Sequence, residues 1–552
     1  MPYGAPMAMI RSVAAVLAGV LSVGGLPAAA ASAGEGSPVI RPIVTWSIED
    51  RFGMDADGDG FIDIPNTPEY AHNRAPGSCP GACADPRFEV EFLVGLTGTS
   101  VDPATLPVVD YRWYVSGGAL TTPLQYVTTL PELAVSLPEG AYTIDVRAGI
   151  RFGWATLETG VVEDFVVEDL LVVAIGDSYA SGEGNPESPR QASTAARWAG
   201  SYDPGATAAH AAAHRSSLAW PARVALSLER AGDATSVTFV TVAASGARID
   251  AGILSPQGGE APRAQLDELR AIVGNRRIDL LLIQAGGNDI GFTRVVRSLV
   301  EADRMFDPIC YDRLIENTFA AVADGDWSRG VRLGYDAPLS IVCRPDESNR
   351  GWGHLPGLVG LPMAFDRLAE QLGGLDIDRV LLVGYPDPTG AEAGGSTCGE
   401  IVGDTTPPFR FNEIDRHEQA LGVDRLLEPL NDTLRSVAAS KNWAYVDGIA
   451  EAFAAGHGYC APWPDYGYPD GYSTEAPPGR SILDHPEGWF RNLGQDGGVE
   501  LVGGPDVTWY RTATQSAVLQ GESRARTSGT LHPNELGHDA IARMVLSALG
   551  NG

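Results

Sequence analysis

The stretch that decides the fold runs from Leu171 to Gly184 and reads LVVAIGDSYASGEG. Its first part is an unbroken apolar run, which is typical of a strand buried on both faces of a parallel sheet. The run stops at Gly176-Asp177-Ser178, and small and polar residues that favour a turn follow. In an open α/β sheet, chemistry sits at the carboxyl ends of the strands. Ser178 is therefore a candidate nucleophile, although a Gly-Asp-Ser triplet is also an ordinary turn.

Two further strand patterns end in residues that can stabilise negative charge. The pattern 278–285 ends at Gly286-Gly287-Asn288-Asp289, where the side chain of Asn288 can donate an N–H to a developing oxyanion. The pattern 237–243 is followed by Ser245-Gly246, and the N–H of Gly246 can approach a ligand closely because glycine has no Cβ. Each segment alone also fits a common turn. Three such strand ends in succession favour a functional site.

A candidate base lies near the carboxyl terminus. His532 is followed by Pro533 and Asn534, which suit a loop and a helix start, and the apolar periodicity of 540–546 predicts a final helix. His532 therefore lies on a loop directly before a helix, where an imidazole can act as a general base. His538 follows about two turns later, and we expect it to pack or to face the helix surface.

These segments resemble the SGNH hydrolases, also called the GDSL esterase/lipase family, over roughly residues 169–550, and in particular secreted actinobacterial members. The resemblance implies that Ser178 is the nucleophile and His532 the base, with no cofactor for catalysis. It implies an oxyanion hole made by the backbone N–H groups of Ser178 and Gly246 and the side chain of Asn288. It also implies a flavodoxin-like three-layer α/β/α domain. The chain has no Gly-x-Ser-x-Gly elbow, which argues against an ordinary α/β-hydrolase.

One position departs from the family pattern. The family usually carries Asp three residues before the histidine, and this chain has Gly529 there. Something else must orient the imidazole and stabilise its charged form. A backbone carbonyl near Gly529 or Ser528 is one option, as in dyad enzymes among actinobacterial esterases, and a distant carboxylate such as Asp484 is another. A catalytically inert domain is the third.

The resemblance implies a serine esterase or lipase that acts on a lipid, an acylated glycan or a polyester. An acyltransferase and a secreted surface- or glycan-binding protein with an inert domain stay open as alternatives. The formal net charge is −31, so the surface repels nucleic acid and anionic membranes, and nucleic acid is not an expected partner. We expect a monomer.

The amino terminus predicts export. Residues 1–33 fit a signal peptide, with Arg11 before an apolar core from Val13 to Leu26 and a cleavage site at Ala31-Ser32-Ala33. No later segment is long and apolar enough to predict a transmembrane helix. The mature protein is therefore expected to be secreted and extracellular.

The cysteines fit an oxidising compartment. Six cysteines allow fifteen full pairings, and proximity in sequence favours one of these, which consists of three disulfides. A zinc site is the alternative for Cys79 and Cys83, but no second close pair of Cys or His residues accompanies them. The last four cysteines lie in the long segments 292–376, 386–425 and 450–528, which we expect to build a binding wall or lid. The favoured pairs are Cys79–Cys83, Cys310–Cys343 and Cys398–Cys460.

The residues before the predicted nucleophile form a different kind of domain. Between 38 and 168, short segments alternate apolar and polar residues and are separated by Pro, Gly and Ser, which predicts a β-sandwich. The segment resembles PKD or other immunoglobulin-like modules of secreted enzymes, with a spacer as the expected role. The predicted organisation is thus a signal peptide 1–33, a β module 38–168 and an SGNH domain 169–552.

This module contains a candidate calcium loop. Carboxylates at alternate positions, with a glycine at the sixth, match the start of an EF-hand loop. The twelfth position is Asn66 instead of the bidentate Glu, so a structural site is expected and not a sensor. An acidic solvated turn is the alternative. The predicted ligands are Asp55, Asp57, Asp59, the carbonyl of Phe61, and Asp63.

Overall fold

The structure is a computed structural model. It describes residues 41–48, 87–97, 108–152, 154–186, 195–196, 198, 212–232, 234–257, 263–301, 308–336, 340–345, 354–392, 396–397, 401–402, 413–459, 461, 508–511, 516, 519–520 and 528–550. Several predictions fall outside these ranges and stay predictions. They concern the signal peptide 1–33, the calcium loop 55–63, Cys79, Cys83, Cys398, Cys460 and Asp484.

Strands and helices alternate in the second part of the chain, whereas the first part holds strands. The strands are β1 Arg41–Ile48, β2 Arg87–Thr97, β3 Val108–Gly117, β4 Leu124–Thr128, β5 Glu132–Pro138, β6 Gly140–Phe152, β7 Ala155–Gly176, β8 Thr235–Thr241, β9 Ile278–Gln284, β10 Val331–Asp336, β11 Ser340–Pro345, β12 Ile377–Val383, β13 Gly390–Glu392, β14 Ser396–Thr397, β15 Ile401–Val402, β16 Glu413–Ile414 and β17 Ala444–Val446. The helices are α1 Ser178–Ser181, α2 Trp220–Glu229, α3 Gln265–Val273, α4 Phe292–Glu301, α5 Pro308–Asp324, α6 Gly357–Leu372, α7 Arg416–Gly422, α8 Glu428–Lys441, α9 Ile449–Ala454 and α10 Glu535–Gly550. A π-helical turn, Val423–Leu427, joins α7 to α8.

The second part of the chain is built on a parallel sheet with the spatial order β8-β7-β9-β12-β17. In sequence order this is 2-1-3-4-5, the flavodoxin-like arrangement. After β7, the chain adds β8 on one side of β7 and then β9 on the other side. The order in which strands are added therefore reverses direction at β7. Ligands of such sheets bind at this reversal, at the carboxyl ends of the strands. The predicted α/β fold with a flavodoxin-like sheet is confirmed.

The end of β7 lies in the middle of the core. Every residue of Leu171–Gly176 is buried. Because side chains alternate between the faces of a strand, both faces of the sheet are covered here. The helices contact one another in two groups, with α2 packed on α10 and with α6 packed on both α5 and α8. These contacts fit helix layers around a central sheet.

The strands β1 to β6 and the start of β7 enclose a second core. One sheet has the order β1-β2-β5, and the other joins β4, β3, β6 and β7. Trp113 is fully buried among aromatic and aliphatic side chains that include Phe92 and Phe165. The segments between 38 and 168 in which apolar and polar residues alternate lie within these strands. The division at 168 and the PKD-like or immunoglobulin-like class stay predictions.

The strand β7 belongs to both sheets. Its first part, Ala155–Val167, pairs antiparallel with β6, and its last part pairs parallel with β8 and β9. The sequence predicted a strand only for the apolar end, because the first part is mostly exposed and carries few apolar runs. A single strand therefore crosses the predicted domain boundary.

The segment 292–376 differs from the prediction of a long loop. It contains α4, α5 and α6. The buried side chains of α5 include Tyr311, Ile315, Phe319 and Val322, which follow the helical spacing. Cys310, at the start of this helix, is disulfide-bonded, while the three predicted pairings stay predictions. None of the helices in the described part is long and apolar enough to cross a membrane.

Candidate active site

Tight packing at the end of β7 fixes the position of Ser178. Gly176 has φ +144°, and a Cβ there would lie 2.1 Å from the carbonyl oxygen of Gln284 on β9, so only glycine fits. Asp177 then caps α1 by accepting a hydrogen bond from the N–H of Tyr179 at 3.0 Å. Ser178 is the first residue of α1, so its own N–H is one that the helix leaves without a partner.

The predicted nucleophile and base lie in direct contact. The hydroxyl of Ser178 donates to Nε2 of His532 across 2.7 Å, although the two residues are 354 positions apart. On the other side of the ring, Nδ1 of His532 lies 3.2 Å from the carbonyl oxygen of Thr530. A carbonyl can only accept, so Nδ1 carries the proton and Nε2 presents its lone pair to the serine. This tautomer is the one that a general base requires.

The environment of His532 keeps the ring neutral near pH 7. Burial lowers the pKa of His532 below its ordinary value, since a charged ring loses its solvation. The negative charge of Glu183 and the carbonyls of Thr530 and Gly529 act in the opposite direction. The balance leaves the pKa lowered, so the imidazole can accept the proton of Ser178.

Hydrogen bonds from distant segments hold the histidine loop. The hydroxyl of Tyr179 donates to the carbonyl of Leu531 at 2.7 Å, and the side-chain amide of Asn185 donates to the carbonyl of Pro533 at 2.8 Å. The backbone N–H of Arg511 donates to the carbonyl of His532 itself at 2.8 Å. Leu531 has φ +60°, a left-handed conformation that costs about 1–2 kcal/mol for an L-residue. These contacts maintain that strained backbone beside the imidazole.

The three predicted oxyanion donors follow three adjacent strands of the sheet. Ser178 follows β7, Gly246 follows β8 with φ +74°, and Asn288 follows β9. The amides of Ser178 and Gly246 donate to no other group within the described part of the chain. Asn288 gives one Nδ2 hydrogen to the carbonyl of Ala247 at 3.1 Å, which leaves the second hydrogen for a ligand. Their function as an oxyanion hole stays a prediction.

Two buried side chains, those of Tyr385 and Asp289, link the loops that follow β7, β8 and β9 to one another. The hydroxyl of Tyr385 accepts from the N–H of Gly287 at 2.9 Å and donates to the carboxylate of Asp177 at 2.5 Å. The carboxylate of Asp289 accepts from the N–H of Ile249 at 3.1 Å. Burial raises the pKa of Asp177 and that of Asp289 to about 7. Tyr385 was not singled out by the sequence, because its partners lie on other strands.

The backbone at Gly529 has no room for a side chain. A Cβ at this position would lie 2.6 Å from Cα of Gly184 and 2.6 Å from Oε1 of Gln520. An Asp therefore cannot occupy the place that it has in the family pattern. Of the options raised by the sequence, a backbone carbonyl meets Nδ1 of His532, and it belongs to Thr530, the residue after Gly529. Asp484 lies outside the described residues.

The sequence missed one charged side chain at the site. Glu183 is 1% exposed, and its carboxylate contacts His214 and Ser528. The signal in the sequence was an acidic residue between two glycines, Gly182 and Gly184, which the structure shows at positive φ. Such a glycine-flanked residue indicates a tight turn but does not reveal which segments its side chain will meet.

His538 has a structural environment. It is fully buried, and its Nδ1 accepts from the N–H of Trp220 at 3.2 Å. Burial lowers the pKa of His538 far below its ordinary value, so the ring is neutral. Of the two expectations for His538, that it packs or that it faces the helix surface, the structure shows that it packs. No group of three or more His, Cys, Asp or Glu residues within the described ranges is arranged to hold a metal ion.

An apolar pocket adjoins the serine and histidine segments. Tyr179, next to Ser178, and Leu531, next to His532, both line it. The ring of Tyr179 also packs against the imidazole, with 4.8 Å between their centroids. The remaining lining is largely apolar and comes from α4, the segment after β12, β16, α7, the π-helical turn and the start of α8. It includes Val295, Leu299, Val423, Leu426, Leu427 and Leu430.

Comparisons with known proteins give distant similarities. No protein-family model and no curated protein matches the chain. Among solved structures, an extracellular lipase from Streptomyces rimosus is 17% identical, with a TM-score of 0.37 over 69% of this chain and 99% of the lipase. Phospholipase A1 from Streptomyces albidoflavus is 17% identical, with a TM-score of 0.35 over 68% of this chain and 98% of that one. An aryl esterase from M. smegmatis is 11% identical, with a TM-score of 0.22 over 51% and 88% of the two chains. Because these TM-scores are below 0.5, the functional assignment depends on the geometry of the site.

Proposed function

We propose that this protein is a serine hydrolase that cleaves carboxylic esters through an acyl-enzyme on Ser178. The observation that carries the proposal is the 2.7 Å hydrogen bond from the hydroxyl of Ser178 to Nε2 of His532. Nδ1 of the same ring is held by the carbonyl of Thr530, so the base is in the required tautomer. A serine and a histidine in ordinary packing do not need this second contact.

The reaction follows the usual course of acyl transfer. Nε2 of His532 takes the hydroxyl proton while Oγ of Ser178 attacks the ester carbonyl carbon. The carbonyl oxygen becomes an oxyanion, which the backbone N–H groups of Ser178 and Gly246 and the amide of Asn288 stabilise. One such donor lowers the barrier by about 3 kcal/mol. The imidazolium then protonates the departing alkoxide, and His532 activates a water molecule that releases the acid.

The apolar pocket supports an apolar acyl group as the part of the substrate that is bound. Its lining residues Tyr179 and Leu531 are the sequence neighbours of the two reacting residues, which do not themselves line the pocket. Burying one methylene in such a surface contributes about 0.8 kcal/mol. Esters with longer acyl chains are therefore proposed to react better than acetate until the pocket is filled.

Hydrolysis of p-nitrophenyl esters tests the proposal. The wild type should release p-nitrophenol, and Ser178→Ala should lower kcat at least 10³-fold while the melting temperature changes little. Ser227→Ala is the matched control, because Ser227 is exposed on α2 and its hydroxyl bonds only the helix backbone at Arg223. An active Ser178→Ala variant would refute the assignment.

A series of esters from acetate to palmitate tests the acyl pocket. Val423→Trp should fill part of the pocket, so kcat/KM should fall several-fold for longer esters and stay unchanged for acetate. The acetate rate is the internal control for intact chemistry. Equal losses on all esters would mean that the acyl chain does not enter this pocket.

Two rival functions give different results in the same assays. An inert domain in a surface-binding protein predicts no hydrolysis together with adsorption to a glycan or polymer. An acyltransferase predicts that added glycerol receives the acyl group in preference to water. The lone pair that Nε2 presents to Ser178 favours a working nucleophile over the inert domain.

Export and calcium binding are also proposed from the sequence alone. We propose a secreted monomer with a structural Ca²⁺ held by the loop from Asp55 to Asp63. EGTA should then lower the melting temperature while kcat on p-nitrophenyl acetate stays the same at a temperature where the protein is folded. An unchanged melting temperature would count against the calcium site.

A further inference from the structure

Glu183 occupies a buried position where three site segments meet. It is 1% exposed and lies five residues after the nucleophile, with its N–H donating to the carbonyl of Ser178 at 3.1 Å. One carboxylate oxygen lies 2.6 Å from Nδ1 of His214. The other accepts from the hydroxyl of Ser528 at 2.6 Å and from the side-chain amide of Gln520 at 2.5 Å. A buried carboxylate with this number of donors is held ionised.

The contact with Ser528 attaches the carboxylate to the histidine loop. Ser528 lies four residues before His532, and the next residue, Gly529, meets the backbone of Gly184. The two loops therefore touch backbone to backbone where the glycines face each other. The close approach that excludes an Asp from position 529 also places Glu183, the residue before Gly184, against the histidine loop.

The partner of Glu183 is held in an uncommon backbone conformation. His214 has φ +50°, which L-residues rarely adopt, and its ring stacks on Trp198 with 4.3 Å between centroids. The side chain of His214 is about a quarter exposed and can exchange protons with solvent, whereas the buried carboxylate of Glu183 is not accessible to solvent. The pair thus extends from solvent to the interior of the site.

We propose that Glu183 is a positioning residue that supplies the negative charge opposite the His532 imidazole, and that His214 attenuates this charge. The inference rests on the proposed function, because it concerns the base of that reaction. Glu183 does not need to touch the ring, since a charge in a buried site acts over several ångströms. It stabilises the imidazolium that forms when Ser178 gives up its proton.

The electrostatics of both residues agree with this geometry. Burial alone would raise the pKa of Glu183, but the charge and hydrogen bond of His214, the charge of His532 when it is protonated, and a hydrogen bond from Ser245 hold it at about 2. The charge of Glu183 raises the pKa of His532, and that of His214 lowers it. Arg511, which also packs on this cluster, is paired with Glu535.

The test measures the pKa of the His532 imidazole by NMR in the full-length protein, with the signal assigned by its loss in His532→Asn. In Glu183→Gln, which keeps the size of the side chain, the pKa of His532 should fall by about one unit, tenfold in the protonation constant. In His214→Asn, the pKa should rise, because asparagine tolerates positive φ and can still donate to Glu183 without the charge. The acid limb of kcat/KM should move in the same two directions.

Glu229→Gln is the matched control. Glu229 is 3% exposed, and its carboxylate accepts from the N–H of Val237 near the start of β8, at the opposite end of the sheet from the site. This variant should leave the pKa of His532 unchanged. An unchanged pKa in both Glu183→Gln and His214→Asn would overturn the inference and leave Glu183 as a structural brace. Loss of the proposed function is a separate result, since the NMR titration needs no substrate.

Discussion

At position 529, the space around the backbone decides which residue the chain can carry. Glycine is required because Cα of Gly184 passes 2.6 Å from the place of a Cβ. A side chain at position 529 therefore cannot orient His532, and the backbone carbonyl of Thr530, 3.2 Å from Nδ1, takes this role instead. The sequence predicted Ser178 and His532 because each stands in a local pattern. It offered a backbone carbonyl near Gly529 as one partner for Nδ1, which the Thr530 contact fits. It could not predict the position of Glu183, because that depends on how two distant loops meet.

Restoring an acidic residue at position 529 should therefore harm the protein. We expect Gly529→Asp to lower the melting temperature by several degrees and kcat/KM at least tenfold, since the histidine loop must move away from Gly184. Gly232→Asp is the control, because a Cβ at Gly232 meets nothing within 4 Å. Higher activity in Gly529→Asp would contradict this description of the site.

The lowered pKa of His532 sets the pH dependence of the reaction. The base works only when Nε2 is unprotonated, so kcat/KM is fully present above the pKa of His532 and is lost as the pH falls through it. Burial lowers that pKa, and the acid limb should therefore lie below 6.5. A pH series of kcat/KM on p-nitrophenyl butyrate checks this. An acid limb above 6.5 would mean that the imidazole is not desolvated.

At the scale of the elements, the site is assembled by loops that follow β7, β8 and β9 and are fastened to one another. The apolar runs of these strands and the polar residues at their ends could be read from the sequence. The helices of segment 292–376 were not predicted, because the prediction depended on the length of the segment and on its cysteines. The helical spacing of its apolar residues was not considered. The cross-links made by Tyr385 and Asp289 depend on the spatial order of the strands.

The bridge through Tyr385 should be important for the oxyanion loop. Tyr385→Phe removes the hydroxyl that accepts from Gly287 and donates to Asp177, and a buried donor without a partner costs about 1–3 kcal/mol. We expect the free energy of unfolding in urea to fall by this amount and kcat to fall more than KM changes. Tyr126→Phe, at an exposed position, is the control. Unchanged stability and kcat would show that the bridge does not hold the loop.

At the scale of the whole molecule, β7 connects two cores. Where the strand passes from one sheet to the other, the buried carboxylate of Asp169 forms an ion pair with Arg276, and the N–H of Asp169 donates to Glu139 at 3.0 Å. The alternation of the early strands and the apolar run of β7 could each be predicted. The sequence could not predict that one strand, β7, joins both sheets, because the first part of β7 is largely exposed and lacks a clear apolar pattern.

The ion pair at this junction provides a test of its contribution to stability. Arg276→Met leaves the carboxylate of Asp169 buried without its cation, which should lower the free energy of unfolding by about 3–5 kcal/mol. The neighbouring Arg277→Met removes an exposed pair with Asp378 and should cost no more than about 1 kcal/mol. Urea unfolding followed by fluorescence compares them. Equal losses in the two variants would contradict a special importance of the junction.

The most direct test of the central claim is the reaction of the protein with a fluorophosphonate, followed by peptide mass spectrometry. If Ser178 is activated by His532, the adduct forms on Ser178, and His532→Asn slows its formation by orders of magnitude. Absence of an adduct on Ser178 in the folded wild type, or equally fast labelling in His532→Asn, would contradict the proposed nucleophile and base.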